Sequence, residues 1–176
     1  MPAPRICLLT ISLAMILSAA PSSAAVINVP ADQPTIQAGI DFAAEGDTVL
    51  VAPGIYEETI TFQSKVVGSW FLTTGDTSYI SQTIIDPLPV GDSYLDISYG
   101  VRFYGDFPNT VLTGFTIQGA SIGIACYGAS PELKNLIIRN IAVIGGGVGI
   151  YSSGSNLAVK NIVYIIAPEP RLLMGS

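Results

Sequence analysis

The sequence Gly100-Val-Arg-Phe-Tyr-Gly105 decides the fold, because related phrases follow it at similar intervals. It returns 23 residues later as Gly123-Ile-Ala-Cys-Tyr-Gly128, and 26 residues after that as Gly149-Ile-Tyr-Ser-Ser-Gly154. A period of about 20 to 50 residues is typical of stacked repeats, in which each unit buries its apolar face only against its neighbours. The spacing therefore predicts a repeat architecture in this part of the chain.

An apolar phrase follows each copy, at residues 112–117, 133–138 and 159–164. These phrases are rich in β-branched and aromatic residues and too short between glycines for helices, so they predict strands. Strands that run in one direction, one set per period, stack into a parallel β-helix with equivalent residues about 4.8 Å apart. Asn135 and Asn161 are then aligned and can share amide hydrogen bonds. The predicted interior columns are Leu112/Leu133/Val159, Phe115/Leu136/Ile162 and Ile117/Ile138/Tyr164.

The alternative to a β-helix is an ordinary β-sandwich whose turns are similar by chance. A sandwich explains regular turn spacing. It does not explain why identical residues return in the same order within each unit, so the repeat favours the β-helix.

Composition narrows the functions open to the chain. Its 176 residues are enough for one domain with a sizeable core. Charged residues make up 11% and the net charge is −6, which argues against a nucleic-acid partner because phosphate binding needs a basic patch. There is no histidine, so a histidine base and histidine-ligated zinc are excluded. Cys7 and Cys126 cannot build a disulfide framework, and Cys126 is predicted to be a small buried residue.

Residues 1–24 have the layout of a secretory signal peptide. Arg5 precedes an apolar run at residues 6–17, and small residues then lead to Ala24, after which cleavage is predicted. The apolar run is too short to span a membrane. We therefore expect an exported mature chain without a transmembrane span.

A short amphipathic helix is predicted ahead of the first repeat. Ile36, Ile40 and Ala43 fall on one helical face, and Asp32 or Thr35 suits the start of the helix. An open end of a β-helix exposes its core and its strand edges. This helix is therefore expected to cap the first coil.

Two stretches near this helix carry a resemblance to a known family. They are Asp32-Gln-Pro-Thr-Ile-Gln-Ala-Gly-Ile-Asp41 and Glu45-Gly-Asp-Thr-Val-Leu-Val-Ala-Pro-Gly54-Ile-Tyr-Glu-Glu58, which resemble the opening of pectin-lyase-like proteins. Gly123-Ile-Ala-Cys-Tyr-Gly-Ala-Ser-Pro131 and Gly145-Gly-Gly-Val-Gly-Ile150 resemble the coil repeats of the same bacterial secreted proteins. The resemblance implies an all-β, single-stranded right-handed parallel β-helix, secreted by a bacterium or held at its surface. It implies little about activity, because the superfamily includes lyases, hydrolases, esterases, epimerases and non-catalytic surface proteins.

The phrase Gly54-x-Tyr56-x-Glu58 is similar to one found early in pectinesterases. The other esterase motifs, which supply paired aspartates, a glutamine and an arginine, have no counterpart in this chain, so we exclude that activity. Structural roles are expected instead: a turn glycine, an aromatic residue packed on the cap and a glutamate at a strand edge.

The chain is expected to divide into a strand and capping helix at residues 25–47, coils at 48–164 and an irregular tail at 165–176. About 24 residues per coil gives roughly five coils. Extra residues at 139–147 predict a protruding loop. No predicted element covers the last coil, so we expect a fragment of a longer protein that associates through this uncapped end. Early strands are expected at residues 48–52, 58–62, 65–72 and 82–86, with a turn at 73–78.

Charged residues are densest at Asp86, Asp92, Asp96, Arg102 and Asp106. The resemblance implies that in a lyase of this fold carboxylates bind Ca²⁺ beside an acidic sugar, while a Lys or Arg removes a proton. Such a site needs carboxylates that converge from adjacent coils, whereas Asp is common in turns for backbone reasons alone. These residues are therefore catalytic candidates, and Ca²⁺ a candidate cofactor, only if the chain is an enzyme.

The leading hypothesis is an exported, non-catalytic β-helix module of a larger secreted protein, which needs no cofactor and contacts polysaccharide or another cell-surface component. Trp70 is a candidate for stacking on a sugar ring, with simple packing as the alternative. The other hypothesis is a fragment of a polysaccharide lyase or glycoside hydrolase of the same superfamily. A hydrolase would need two carboxylates that face each other across a groove.

Overall fold

Parallel β-strands dominate the protein, for which a computed structural model describes residues 24–62, 65–69, 71–88, 97–105, 109–141 and 147–165. Short helices in these ranges are α1 (Ile36–Phe42), α2 (Phe71–Thr74) and α3 (Ser78–Gln82). The strands are β1 (Val26–Val29), β2 (Thr48–Val51), β3 (Gly54–Tyr56), β4 (Ile60–Phe62), β5 (Val66–Ser69), β6 (Thr83–Ile85), β7 (Tyr99–Tyr104), β8 (Val111–Thr113), β9 (Thr116–Ile117), β10 (Ile122–Tyr127), β11 (Glu132–Arg139), β12 (Val148–Ser153) and β13 (Ala158–Ile165).

The described strands pair into two curled sheets. The larger sheet has the order β1-β2-β5-β8-β11-β9-β6-β3, with β13 also paired to β11, and the second sheet has the order β12-β10-β7-β4. Every pairing is parallel and joins strands from successive repeats. The β-sandwich alternative is wrong, because such sandwiches are built from antiparallel sheets. The arrangement is compatible with a β-helix.

Strand register confirms the predicted columns. Thr116 pairs with Ile137. The residues just before them, Phe115 and Leu136, therefore also lie side by side and belong to the middle column. Column members before the last strand are buried, but Val159 and Tyr164 keep 48% and 44% of their surface exposed. These two residues lie on β13, beyond which no described strand pairs. The aligned residues are Leu112/Leu133/Val159, Phe115/Leu136/Ile162 and Ile117/Ile138/Tyr164.

A bend in the long strands curls the larger sheet. The first half of β11 pairs with β8 and its second half with β9. Asn135 lies between the halves with φ of 49°, Asn161 on β13 has φ of 53°, and Gly114 has φ of 82° between β8 and β9. Asn and Gly are the residues that adopt this left-handed conformation most readily. Asn161 Nδ2 donates to Asn135 Oδ1 at 3.0 Å, which confirms the predicted amide hydrogen bond between neighbouring strands.

Helix α1 forms where its sequence pattern predicts, with Thr35 as N-cap. Thr35 Oγ1 accepts from the Ala38 N–H at 3.1 Å, while Ile36 and Ile40 are buried in the core. The Gln37 side chain pairs with β4, the edge strand of the second sheet. Its Oε1 accepts from the Thr61 N–H at 2.8 Å and its Nε2 donates to the Thr61 carbonyl at 3.2 Å. The helix therefore occupies hydrogen-bonding groups that this strand edge would otherwise present to water.

The predictions for residues 65–86 are partly wrong. The strand expected to reach residue 72 ends at Ser69, and the turn expected at residues 73–78 contains the end of α2 and the start of α3. Local hydrogen bonds explain the helical turns: Ser69 Oγ accepts from the Phe71 N–H at 3.3 Å, and Asp76 Oδ1 accepts from the Ser78 N–H at 2.9 Å. Such side-chain acceptors compete with strand ladders for the backbone donors. The predicted strand near residue 84 is present as β6.

Two other predictions fall largely outside the described residues. The structure describes nothing of residues 142–146, in the loop expected to protrude, or of residues 166–176 in the expected tail. Within the described ranges, none of the helices has both the length and the apolar character needed to cross a bilayer.

Candidate functional site: a tyrosine–arginine surface

The outer face of the second sheet carries a group of tyrosines around one arginine. Side chains alternate between the two faces of a strand, so neighbours of buried residues point outwards. The buried residues of β7 include Phe103 and those of β10 include Cys126, which pairs with Phe103 in register. We define the tyrosine–arginine surface as Tyr99, Arg102, Tyr104, Tyr127 and Tyr151.

Glycines allow the strands beneath this surface to lie close to neighbouring groups. A Cβ atom on Gly100 would lie 2.6 Å from the Gly123 carbonyl oxygen, and one on Gly123 would lie 2.6 Å from the Gly149 carbonyl oxygen. Real Cβ contacts are not this short, so a side chain at either position would force a shift in the backbone. This explains why the first two copies of the repeated phrase begin with glycine.

The tyrosine rings stack along the direction in which the strands pair. Tyr104 and Tyr127 are register partners on β7 and β10, with ring centroids 5.2 Å apart and planes 10° from parallel. The Tyr127 and Tyr151 centroids are 5.6 Å apart, with planes inclined by 48°. Tyr104 is 45% exposed and Tyr151 40% exposed. Strand spacing of about 4.8 Å brings the register partners Tyr104 and Tyr127 together, whereas Tyr151 is the register partner of Ala125 and reaches Tyr127 diagonally.

Arg102 lies among these rings. Its Cζ atom is 5.3 Å from the Tyr99 ring centroid and 6.0 Å from that of Tyr104, within cation–π range. Its Nε is buried and has no hydrogen-bond partner in the structure. Arg102 is also the only charged residue in the four strands of the second sheet as the structure describes it. In a chain of net charge −6, this face therefore carries a local positive charge.

The Tyr127 hydroxyl is held in its protonated form. A hydrogen bond between the Tyr127 and Tyr99 side chains is the main cause that raises the pKa of Tyr127 to about 12. Burial and the neighbouring phenols of Tyr104 and Tyr151 raise it further. At neutral pH the surface thus presents neutral phenols around one guanidinium group.

Taken together, these groups suit binding of a ligand with both apolar and polar faces. Aromatic rings pack against the C–H faces of sugar rings, while phenol and guanidinium groups exchange hydrogen bonds with hydroxyl or carboxylate oxygens. Three rings in contact across three neighbouring strands would touch an extended ligand at several points.

The structure does not bring Asp86 and Arg102 together. Asp86 follows β6 in the larger sheet, and its Oδ2 accepts from Gln118 Nε2 at 2.8 Å. Gln118 Oε1 accepts in turn from Arg139 Nε at 2.8 Å, so Asp86 belongs to a polar row along the larger sheet. Arg102 lies in the second sheet.

No group of three or more potential metal ligands occurs within the described ranges. The remaining candidates lie outside the described residues: Trp70, Asp92, Asp96 and Asp106.

The expectation for Cys126 is confirmed, whereas Gly54, expected in a turn, begins strand β3. Cys126 is fully buried in the core, and burial raises the pKa of its thiol to about 12, so it is a packing residue. Tyr56 and Glu58 have structural roles: the Tyr56 hydroxyl donates to the Ala52 carbonyl at 2.9 Å. Glu58 does more than lie near a strand edge, because its carboxylate accepts from the N–H groups of Ile36 and Gln37 at 2.8 and 2.9 Å.

Sequence reasoning missed the tyrosine–arginine surface, although the repeated phrase contained a signal for it. Tyr104 and Tyr127 occupy the same position in two copies, next to residues expected to be buried. Stacked repeats place such positions side by side on the outside. Comparison with known proteins adds no family: a scan of protein-family models finds no match, and neither does a search of curated proteins.

Proposed function

We propose that this chain is an exported, non-catalytic module of a larger secreted protein and that its tyrosine–arginine surface binds polysaccharide. The observation that carries this proposal is the group of Tyr104, Tyr127 and Tyr151 rings in contact, the first two stacked, beside Arg102 on the outer face of the second sheet. The ligand could belong to the cell on which the protein resides or to its surroundings; both sources present the same sugar chemistry.

The proposed fold is a pectin-lyase-like right-handed parallel β-helix of about five coils, with α1 as its cap. Parallel register between successive repeats supports the β-helix. The right hand follows from the strong preference of parallel crossover connections. The hydrogen bonds from Gln37 to the edge strand β4, and the buried Ile36 and Ile40, support the capping role of α1.

The separation of Asp86 from Arg102 favours binding over catalysis. A lyase site would bring a carboxylate-bound cation and a basic residue to the same sugar, but these two candidates lie on different sheets. Arg102 instead contacts two tyrosine rings. A uronic-acid-release assay with Ca²⁺ separates the two functions. Turnover that is lost in Arg102→Ala or Asp96→Ala would overturn the proposal in favour of a lyase.

Binding is tested by affinity electrophoresis through gels that contain polysaccharides, with the wild-type chain and single variants. Tyr104→Ala and Tyr151→Ala are each expected to weaken binding about three- to tenfold, since an aromatic contact contributes about 0.5–1.5 kcal/mol. Phe42→Ala is the matched control, because Phe42 is an aromatic residue on α1 with 68% of its surface exposed. Equal retardation of the wild type and both tyrosine variants would contradict the proposed site.

A further inference from the structure

The Asp47 carboxylate holds the backbone at the start of the described chain. Its Oδ1 accepts from the Ala25 N–H at 2.8 Å, and its Oδ2 accepts from the Ala44 N–H at 2.8 Å. Asp47 is only 8% exposed. The Ala25 carbonyl in turn accepts from the Thr48 N–H at 2.8 Å, next to the first strand pairing. Residue 25 is therefore fixed through both its nitrogen and its carbonyl.

The nitrogen held by Asp47 is the atom that signal-peptide removal would release. The sequence predicts cleavage between Ala24 and Ala25, both of which are exposed. A signal peptidase would hydrolyse this peptide bond with one water molecule. Ala24 would leave with a carboxylate, and Ala25 would keep its nitrogen as an α-amino group, which is protonated below its ordinary pKa of about 7.7–8.0.

We propose that Asp47 is the docking site for the N-terminal ammonium group of the mature protein. This inference rests on the export part of the proposed function and is independent of polysaccharide binding. Cleavage would convert a hydrogen bond from a neutral amide into a charge-assisted bond between an ammonium and a carboxylate, without moving the strand. Charge-assisted bonds of this kind are stronger than those from neutral donors. Maturation would thereby stabilise the fold at the start of β1.

The surroundings of Asp47 suit a second cation. Hydrogen bonds from the Ala25 and Ala44 N–H groups lower the pKa of the Asp47 carboxyl, and the charge of Lys65 lowers it further. The Lys65 ammonium also contacts the Ala43 carbonyl oxygen. Asp47 therefore stays ionised at neutral pH and would present a negative charge to the new ammonium group.

The pH dependence follows from the α-amino group. The ion pair would raise the pKa of this group above its value in the unfolded chain. The stabilisation would then be complete below about pH 8 and would be lost as the pH rises through the folded-state pKa. The Asp47 carboxyl stays ionised throughout this range, because its pKa is lowered from its ordinary value.

The first test uses the full chain, expressed with its own residues 1–24 in a secreting bacterial host. Intact mass and N-terminal sequencing of the exported protein are expected to show Ala25 as the first residue. Export with a different first residue, or retention of residues 1–24, would overturn the inference. Polysaccharide binding plays no part in this readout, so its failure would leave this test unaffected.

The second test compares the mature chain with a free Ala25 amine to the same chain acetylated at Ala25. Acetylation keeps an N–H donor for Asp47 and removes the charge. The free amine is expected to give the higher melting temperature at pH 7, and the difference is expected to vanish near pH 10 and in Asp47→Asn. Equal melting temperatures at pH 7, or a difference that persists in Asp47→Asn, would overturn the inference.

A direct titration covers the case in which Asp47→Asn does not fold. The pKa of the Ala25 amine in the folded mature chain, followed by NMR, is expected to lie above the ordinary range of about 7.7–8.0. A value within or below that range would contradict an ion pair with Asp47.

Discussion

Tyr127 contacts three other tyrosines of the tyrosine–arginine surface, and these contacts affect its pKa. Tyr127 lies between Tyr104 and Tyr151, and its hydroxyl bonds to Tyr99. Loss of the Tyr127 proton would remove this hydrogen bond and place a negative charge beside the phenol groups of Tyr104 and Tyr151, so both effects raise the pKa of Tyr127. At the residue scale, the neighbouring tyrosines therefore keep the Tyr127 phenol protonated.

Tyr99→Phe tests this coupling. The variant removes the hydrogen bond that is the main cause of the high Tyr127 pKa, so this pKa is expected to fall from about 12 towards its ordinary value of about 10. Ultraviolet absorbance of ionised phenol, recorded against pH, measures the change. Tyr164→Phe, on the larger sheet, serves as the control and should leave the Tyr127 titration in place. An unchanged Tyr127 titration in Tyr99→Phe would show that the contact has no effect.

The raised pKa of Tyr127 also determines how the stability of the fold depends on pH. Tyr127 holds its proton more tightly in the folded than in the unfolded chain. Its contribution to the free energy of unfolding is complete below about pH 10 and is lost as the pH rises towards about 12. Tyr99→Phe is expected to make the loss of stability above pH 10 shallower.

Side-chain hydrogen bonds, rather than the intrinsic stability of a long helix, hold α1 against the strands. It has only seven residues, which is too short for independent stability in water. The Glu58 carboxylate takes up two N–H donors of its first turn, and the amide of Gln37 pairs with β4. At the element scale, the helix and the second sheet therefore depend on each other.

Glu58→Ala is expected to lower the free energy of unfolding by about 1–2 kcal/mol, since it leaves two helix N–H groups without an acceptor. Urea denaturation followed by circular dichroism measures this loss. The neighbouring Glu57→Ala removes an exposed carboxylate of the same type and should stay within about 0.5 kcal/mol of wild type. Equal effects of both variants would exclude the capping role of Glu58.

The bend between the halves of β11 depends on Asn135. Asn135→Val places a β-branched residue at φ of 49° and removes the amide hydrogen bond with Asn161, so a loss of about 2–3 kcal/mol is expected. Asn135→Gly keeps the backbone conformation accessible and should cost about 1 kcal/mol. The difference between the denaturation midpoints of these two variants measures the cost of placing a β-branched residue in the left-handed conformation. Variants of equal stability would show that the left-handed conformation is not required.

The repeat columns could be predicted because parallel stacking turns equal sequence positions into spatial neighbours. The left-handed bend is not part of that pattern. Asn135 was expected to form an amide hydrogen bond, but its residue type alone does not indicate a φ of 49°. Helices α2 and α3 were missed because local acceptors such as Ser69 Oγ and Asp76 Oδ1, rather than apolar periodicity, specify them. The catalytic candidates were chosen for charge density along the chain, which does not determine that Asp86 and Arg102 lie on different sheets.

The whole molecule has two different ends. Helix α1 covers the β4 edge at one end, whereas β12 and β13 leave apolar side chains exposed at the other. An open hollow of about 430 Å³ lies there, lined by Ile138, Ile150, Ile162 and other residues of the same end. Association through this end, expected from the sequence, stays a prediction.

Parallel register between successive repeats is the basis for the core columns and for the contact between Tyr104 and Tyr127. Lys134 and Lys160 are register partners on β11 and β13, and both side chains reach Glu132, at 2.8 and 3.3 Å. Adjacent strands about 4.8 Å apart place paired Cα atoms within the range that a disulfide bond accepts. A disulfide bond between cysteines at these two positions would therefore show directly that the strands have this register.

The decisive measurement is disulfide formation in Lys134→Cys with Lys160→Cys, compared with Lys134→Cys and Val163→Cys, after mild oxidation. Cys126 is buried and should not compete. Parallel register predicts that the aligned pair loses two hydrogen atoms by intact mass and that the offset pair keeps its free thiols. Cross-linking of the offset pair in preference to the aligned pair would contradict the account.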